Sequence, residues 1–304
     1  MAIGKKVLKQ SPLLLAEKLH KDAAKMPDLL LQARQIANTL ITGRHGQRKR
    51  GNGEKFWQFR PYVEGESITR IDWRRSARDE QTYLRENEWE KAQTVWIWPN
   101  QSASMHYCSR FSQISKGNHA IILALALALL LVNSGEHIAI PNLMPPTMTS
   151  NIIERMALIL KNHNTENPFP DFSTITRFSH AIIISDFLDY PEKIIQYLNI
   201  LSAKRVTAHL IEVADPAEEC FPYAGCTEFF DPETKEKRVL EKAENFRDHY
   251  RKLYQARRQQ LADFCSRQGW TYHVSKTDQP LTEIILQLVE KIECSPSHHS
   301  RRSF

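Results

Sequence analysis

HAIIIS, residues 180–185, sets four apolar residues in a row between two polar ones. A strand with one wet face would alternate apolar and polar side chains, so this run reads as a strand buried on both faces. VWIW (95–98) and HLIEV (209–213) have the same character. Working outward, strands also fit AQTVWIW (92–98), HIAI (137–140), VTAHLIEV (206–213) and WTYHV (270–274). Helical segments fall between them at 115–135, 151–162, 191–204, 242–268 and 280–292. TEFFDPETKEKRVLE (227–241) reads as a hairpin turning near Pro232. Alternating strands and helices predict an α/β fold, with a mostly parallel sheet covered by helices on both faces. AIILALALALLLV (120–132) is wholly apolar but only 13 residues long. A membrane span needs about 20 residues, so the run predicts a buried core helix.

The domain reading is a helical segment over 1–43, an extended signature segment over 44–90, the sheet domain over 91–292, and a disordered tail over 293–304. Residues 11–42 read as two helices, and no stretch of 56–90 has a helical period. Hydrophobic content of 41% and charged content of 25% are ordinary for a globular protein, and ten glycines argue against a glycine-rich nucleotide-binding fold. Residues 1–50 carry 11 Lys/Arg against 3 Asp/Glu, so with a net charge of +6 the rest is slightly acidic. That excludes a uniformly basic nucleic-acid binder. Five scattered cysteines form no CxxC pair, which suits a reducing compartment and offers no zinc framework. With no signal peptide, the expected location is the cytoplasm, at most peripheral to the inner membrane.

Ligand chemistry in such sheets gathers at the carboxyl ends of the strands. WIWPNQSASMHY (96–107) offers Asn100, Ser102 and Ser104 at alternating positions, and IIISDFLD (182–189) offers Ser185 and Asp186. PPTMTSN (145–151) adds Thr147, Thr149 and Ser150. Hydroxyls at i and i+2 with a carboxylate from another loop can hold a hard divalent cation. The pattern resembles the metal-ion-dependent adhesion site of a von Willebrand factor A domain. There the first loop reads Asp-x-Ser-x-Ser, a Thr comes from a second loop and an Asp from a third. Asn100 replaces the first Asp, so any Mg²⁺ or other divalent ion would be held weakly. The alternative is that Ser102 and Ser104 cap the next helix and Asp186 bonds backbone amides.

Residues 53–90, GEKFWQFRPYVEGESITRIDWRRSARDEQTYLRENEWE, carry a longer signature. Arg60, Tyr62, Gly65, Arg70, Ile71, Asp72, Trp73, Ser76, Ala77 and Arg78 match the bacterial family known as domain of unknown function number fifty-eight. Glu66 stands where that family usually has Asp. The resemblance runs from about residue 10 to 290 and is to the short type without N-terminal membrane helices. It implies a von Willebrand factor A-like, Rossmann-type sheet. It also implies partnership with a MoxR-type AAA+ ATPase and other A-domain proteins in a chaperone or maturation system, with no enzymatic activity. On the residues themselves, Glu66 and Asp72 among Arg60, Arg70, Arg74, Arg75 and Arg78 predict a carboxylate–guanidinium network pinning the segment to the sheet domain, with Trp57, Trp73 and Trp89 as apolar anchors. The same arginines could instead dock a partner.

The leading expectation is a non-enzymatic adaptor that uses the strand-end loops as its contact surface. Nucleic-acid binding through Arg44, Arg48, Lys49 and Arg50 is a second reading, as is an anionic surface met by the basic N-terminal segment with its amphipathic helices. A hydrolase using Asp72, Asp186 and a divalent ion is a third. It lacks a general base, because the histidines fall at unrelated spacings, and Cys108 has no readable His partner.

Overall fold

The computed structural model describes residues 26–45, 55–63, 66–78, 81–88, 92–163 and 169–293. The first of the two expected N-terminal helices, most of the basic 44–50 stretch and the tail after 293 lie outside the described residues. The chain forms two compact units, one of residues 44–92 and one of residues 1–43 with 93–304.

Helix α1 (Met26–His45) buries Met26, Leu29, Ala33, Ala37 and Leu40 in the core of the larger unit. Steps of three and four residues keep these side chains on one face. The smaller unit is a two-stranded antiparallel ribbon of β1 (Lys55–Pro61) and β2 (Tyr83–Glu88). Between them the chain makes a 3-10 turn at Ile68–Arg70 and the one-turn helix α2 (Trp73–Ser76). Helical structure here departs from the wholly extended expectation. One turn is too short to leave a periodic signal, and its cap is a local hydrogen bond rather than an apolar stripe.

The larger unit continues through β3 (Thr94–Pro99), α3 (Lys116–Asn133), β4 (His137–Ile140), β5 (Met144–Thr147), α4 (Ile152–Asn162), β6 (His180–Ser185), α5 (Pro191–Ala203) and β7 (Thr207–Ala214). It ends with α6 (Pro216–Cys220), the hairpin β8 (Thr227–Phe230) and β9 (Lys237–Leu240), α7 (Arg247–Gln268), β10 (Thr271–Lys276) and α8 (Thr282–Glu293). The six-stranded sheet has the order β10-β7-β6-β3-β4-β5. Every pairing is parallel except β4 with β5. This is the mostly parallel α/β sheet read from the apolar runs.

Strand β5, MPPT, escaped the sequence reading because two prolines argue against a strand. They are tolerated at an edge, where an absent N–H breaks no ladder. Helices cover both faces. Along β10, Ser275 bonds His119 of α3, while Tyr272, of opposite parity, shares Glu212 with α7. Helix α3 could cross a membrane by length and composition alone, but 83% of it is buried inside the fold. It packs against the sheet and against α4 and α8, so its all-round apolar surface is core.

The chain enters at β3 in mid-sheet, runs outward to β5, then returns to β6 and runs the other way. The strand order therefore reverses between β3 and β6. At such a reversal the loops leaving the two carboxyl ends diverge, which in open α/β sheets forms a crevice.

Candidate functional site

The crevice is filled by polar side chains that bond one another. Where β3 ends, Asn100 N–H donates to Ile184 O at 2.8 Å, and the Asn100 side chain turns inward, fully buried. Its Oδ1 accepts the Ser102 N–H at 2.8 Å and its Nδ2 donates to Ser185 Oγ at 3.0 Å. The Ser102 and Ser104 hydroxyls lie 3.1 Å apart. The following 3-10 turn, Ala103–His106, buries Met105. Ser104 in turn bonds Asp186, at the tip of β6. After it the chain turns through Phe187 in the left-handed region, φ 46°. An aromatic residue there is strained, and Arg257 Nη1 holds the turn by donating to Phe187 O at 2.9 Å.

Lys116 occupies the first position of α3 and is 1% exposed. Its Nζ donates to Asp186 Oδ2 at 2.8 Å and to Glu218 Oε1 at 2.6 Å. Such a site is costly in two ways: burial strips the ammonium of water, and the helix N-terminus carries positive partial charge. Two carboxylates from two other strand ends compensate. Burial pulls the ammonium down, but the attraction of Asp186 and Glu218 outweighs it and the net shift is upward. For Asp186, burial pushes the carboxyl up, yet Lys116, Ser104 and Arg257 bring it below the usual range. For Glu218 burial wins, and its carboxyl is raised. Gly117, the next residue, allows the close approach: a β-carbon there would sit 3.2 Å from Met105 O.

Helix α6 ties this cluster to a second one. Asp215 caps it by accepting the Ala217 N–H at 2.8 Å, and Glu218 Oε2 accepts the Asp215 N–H at 3.0 Å. This is a reciprocal capping box. Asp215 Oδ2 also accepts the Ser109 N–H at 2.9 Å. Glu218 therefore faces Lys116, while neighbouring Glu219 accepts from Arg258 at 2.7 Å and pairs with Lys276 at 2.6 Å. Buried Glu212 on β7 takes Arg257 Nη2 at 2.7 Å, Arg258 Nε at 2.9 Å and Tyr254 OH at 3.1 Å, together with Tyr272 OH.

The donor set does not fit a divalent cation. Asp186, the carboxylate such an ion needs, is held by an ammonium, and both polar atoms of Asn100 are engaged. Thr147 is at the other end of the sheet. It pairs with Ile138, which is level with Val95. Five residues separate Val95 from Asn100, roughly 16 Å along the strand. Thr149 and Ser150 follow it away from the crevice. The metal reading of Ser102, Ser104, Asp186, Asn100 and Thr147 is corrected accordingly. The first four are joined by hydrogen bonds, but Asp186 at their end is paired with a lysine, and Thr147 does not join them. Among the described residues no group of three or more His, Cys, Asp or Glu is placed to hold a metal. The Cys108 thiol points to the carbonyls of Ser109 and Ser112, at 3.7 and 3.6 Å.

In the smaller unit Arg60, Tyr62, Asp72 and Ser76 of the signature make structural hydrogen bonds. Arg60 forks onto Glu66, with Nη1 to Oε2 at 2.8 Å, and the Tyr62 hydroxyl donates to Glu66 O at 3.3 Å. Asp72 caps α2 by accepting the Arg75 N–H at 3.0 Å. Ser76 Oγ donates to Asp72 O at 2.8 Å and accepts the Tyr83 N–H at 2.9 Å, clamping α2 to β2. Arg75 covers the rings of Phe59 and Tyr83, 4.3 and 5.1 Å from their centroids. Of the expected multi-arginine network, the bond seen among the described residues is the Arg60–Glu66 fork. Arg74, Arg75 and Arg78 are exposed and pair with no carboxylate among the described residues, and Trp73 is 63% exposed rather than an anchor. The side chains of Trp57, Arg70 and Trp89 lie outside the described residues.

Sequence reasoning missed Lys116, Asp215 and Glu218. Two signals were readable: a lysine heading an otherwise apolar helix after the N-cap Ser115, and Asp-Pro-x-Glu at 215–218, a capping box with proline at the first turn.

A doubly wound α/β sheet with a closed polar cluster at its reversal point defines the class of protein. The chain belongs to the family described as protein of unknown function DUF58, which matches residues 58–260. No curated protein matches. Among solved structures, the conserved hypothetical protein BatB from Bacteroides thetaiotaomicron is similar at 14% identity, covering 67% of this chain and all of that one, TM-score 0.41. An aerotolerance-related membrane protein from Bacteroides fragilis is similar at 12% identity, covering 66% of this chain and 99% of that one, TM-score 0.39.

Proposed function

We propose that this protein is a non-enzymatic binding module, accessory to a MoxR-type AAA+ ATPase, that contacts its partner through the loops around the closed crevice. One observation carries the reading: at the reversal point Asn100, Lys116, Asp186 and Glu218 bond one another or neighbouring hydroxyls. Here Asp186 is held by Lys116 and Asp72 caps a helix, so the two carboxylates of the hydrolase reading have other work.

The same loops leave apolar side chains in water. Phe111, under the Arg110 guanidinium, is 47% exposed on the loop after β3. Leu188 and Tyr190 are exposed on the loop after β6, Tyr190 at 80%. Aromatic residues on loops set by a rigid scaffold are the usual anchors of protein contacts. The accessory role rests on the family membership and on the ATPase partnership that the resemblance implies. A second contact surface is supported by Trp73 with Arg74 and Arg78, whose open charge suits an acidic partner.

The test is co-purification with a MoxR-type ATPase, comparing wild type with Phe111→Ala/Tyr190→Ala and with Trp73→Ala/Arg74→Ala. Binding lost in the first variant supports the crevice loops, and binding lost in the second moves the contact to the smaller unit. Failure of wild type to bind the ATPase, with or without ATP, overturns the accessory reading.

A further inference from the structure

We propose that Lys116 is the resident cation of the crevice: its ammonium stands in for a divalent ion, so the cluster works without metal and gains divalent-ion affinity only when Lys116 is removed. The inference does not depend on which partner the protein binds.

The arrangement is hard to explain as an ordinary ion pair. Nothing in helix formation favours a lysine at the first position of α3, where the helix end is itself positive. Nothing in core packing favours one that is 1% exposed. Yet two carboxylates from separate strand-end segments converge on it, Asp186 after β6 and Glu218 after β7. Ser104 reaches the same Asp186, and Ser102 reaches Ser104. The Tyr107 ring lies 5.8 Å from the ammonium, adding a π face. The positive charge thus joins the loops of β3, β6 and β7 to the start of α3, as a metal would. A tethered ammonium has a consequence that a bound ion lacks, because a chelator cannot remove it. Cutting the side chain back would leave two carboxylates and nearby hydroxyls around vacated space, an oxygen set that a hard divalent cation accepts.

The experiment compares wild type, Lys116→Ala and Lys116→Arg by thermal unfolding and Mn²⁺ electron paramagnetic resonance. Each is measured with EDTA, with Mn²⁺ and with methylammonium. Wild type is expected to give the same melting temperature in all three and no saturable Mn²⁺ signal. Lys116→Ala in EDTA is expected to melt about 10 °C lower, since one partner of a buried charge cluster is gone. Mn²⁺ or methylammonium should restore part of that loss, and Mn²⁺ should bind about one per chain. If Lys116→Ala does not fold in EDTA, refolding with Mn²⁺ or methylammonium should recover it. Saturable Mn²⁺ binding by wild type that Asp186→Asn abolishes would overturn the inference. So would a Lys116→Ala protein that neither cation stabilises or refolds. Lys116→Arg, which keeps a cation but not its size, should stay blind to Mn²⁺; binding there also overturns the inference.

Discussion

The crevice of the sheet unit and the signature ribbon of residues 55–88 are written in the same residue types, yet the fold treats them oppositely. In the crevice, Lys116, Asp186 and Glu218 are withdrawn from water and each charge meets its opposite. In the ribbon, Arg60 meets Glu66, while Arg74, Arg75 and Arg78 stay in solvent with no carboxylate among the described residues. The difference lies in burial. A charge in low dielectric must be paired, because the alternative costs several kcal/mol. An exposed guanidinium keeps its hydration and gains about 0–1 kcal/mol from pairing. Dense charge in a sequence therefore does not imply a network. The lesson for this chain is that a solitary lysine beside an apolar run carried more structural meaning than the exposed Arg74, Arg75 and Arg78.

That contrast orders the mutational expectations. The largest effect belongs to Glu212, buried beneath Arg257, Arg258, Tyr254 and Tyr272. Glu212→Gln strands two guanidiniums, one of them buried, and is expected to cost about 3–5 kcal/mol in urea unfolding. A cost below about 1 kcal/mol would mean that the network relaxes freely and that burial is not what enforces pairing.

Next comes pH. Burial pulls His119 down to about 4 and His209 down to about 3, and holds His273 below its ordinary value. An unfolded histidine titrates near 6.5, so below that pH the unfolded chain takes up protons that the folded chain refuses. Stability is therefore full above about pH 6.5 and falls as pH drops toward 4. Asp186 and Glu219, both lowered, extend the loss at lower pH, while Glu218, raised, runs the other way. The urea midpoint at pH 5 should lie below that at pH 7. Equal midpoints would remove the buried histidines from the account.

Smaller effects test the ribbon. Ser76→Ala removes both arms of the clamp between α2 and β2 and should cost about 1–2 kcal/mol of that unit's stability, read by hydrogen exchange of the Tyr83 amide. Arg74→Ala with Arg78→Ala should change stability by no more than about 0.5 kcal/mol. A larger loss would reveal pairing beyond that seen among the described residues.

The sheet was legible because its strands are buried on both faces, and buried parallel strands announce themselves as unbroken apolar runs such as HAIIIS. The convergence of Asn100, Ser102, Ser104 and Asp186 was legible too, since it follows from where β3 and β6 end. Its chemistry was not. Lys116 lies 70 residues from Asp186 and 102 from Glu218, and no local pattern relates residues so far apart. Thr147 misled for a related reason: with MPPT unrecognised as an antiparallel edge strand, the direction of the chain there was wrong, and with it the end of the sheet that Thr147 occupies. In the ribbon, Asp72 and Ser76 bond their own backbone neighbourhood, as short polar side chains do at turns. The arginine count drew attention away from them.

The most direct measurement is nuclear magnetic resonance of the lysine ammonium groups in ¹⁵N-labelled protein, with Lys116 assigned by Lys116→Arg. An ammonium bonded to Asp186 and Glu218 and sealed from water predicts one slowly exchanging NH₃⁺ signal at neutral pH, unmoved by Mg²⁺ or EDTA. A signal that is absent, or that shifts on Mg²⁺ addition, would place a different cation in the crevice and contradict the account.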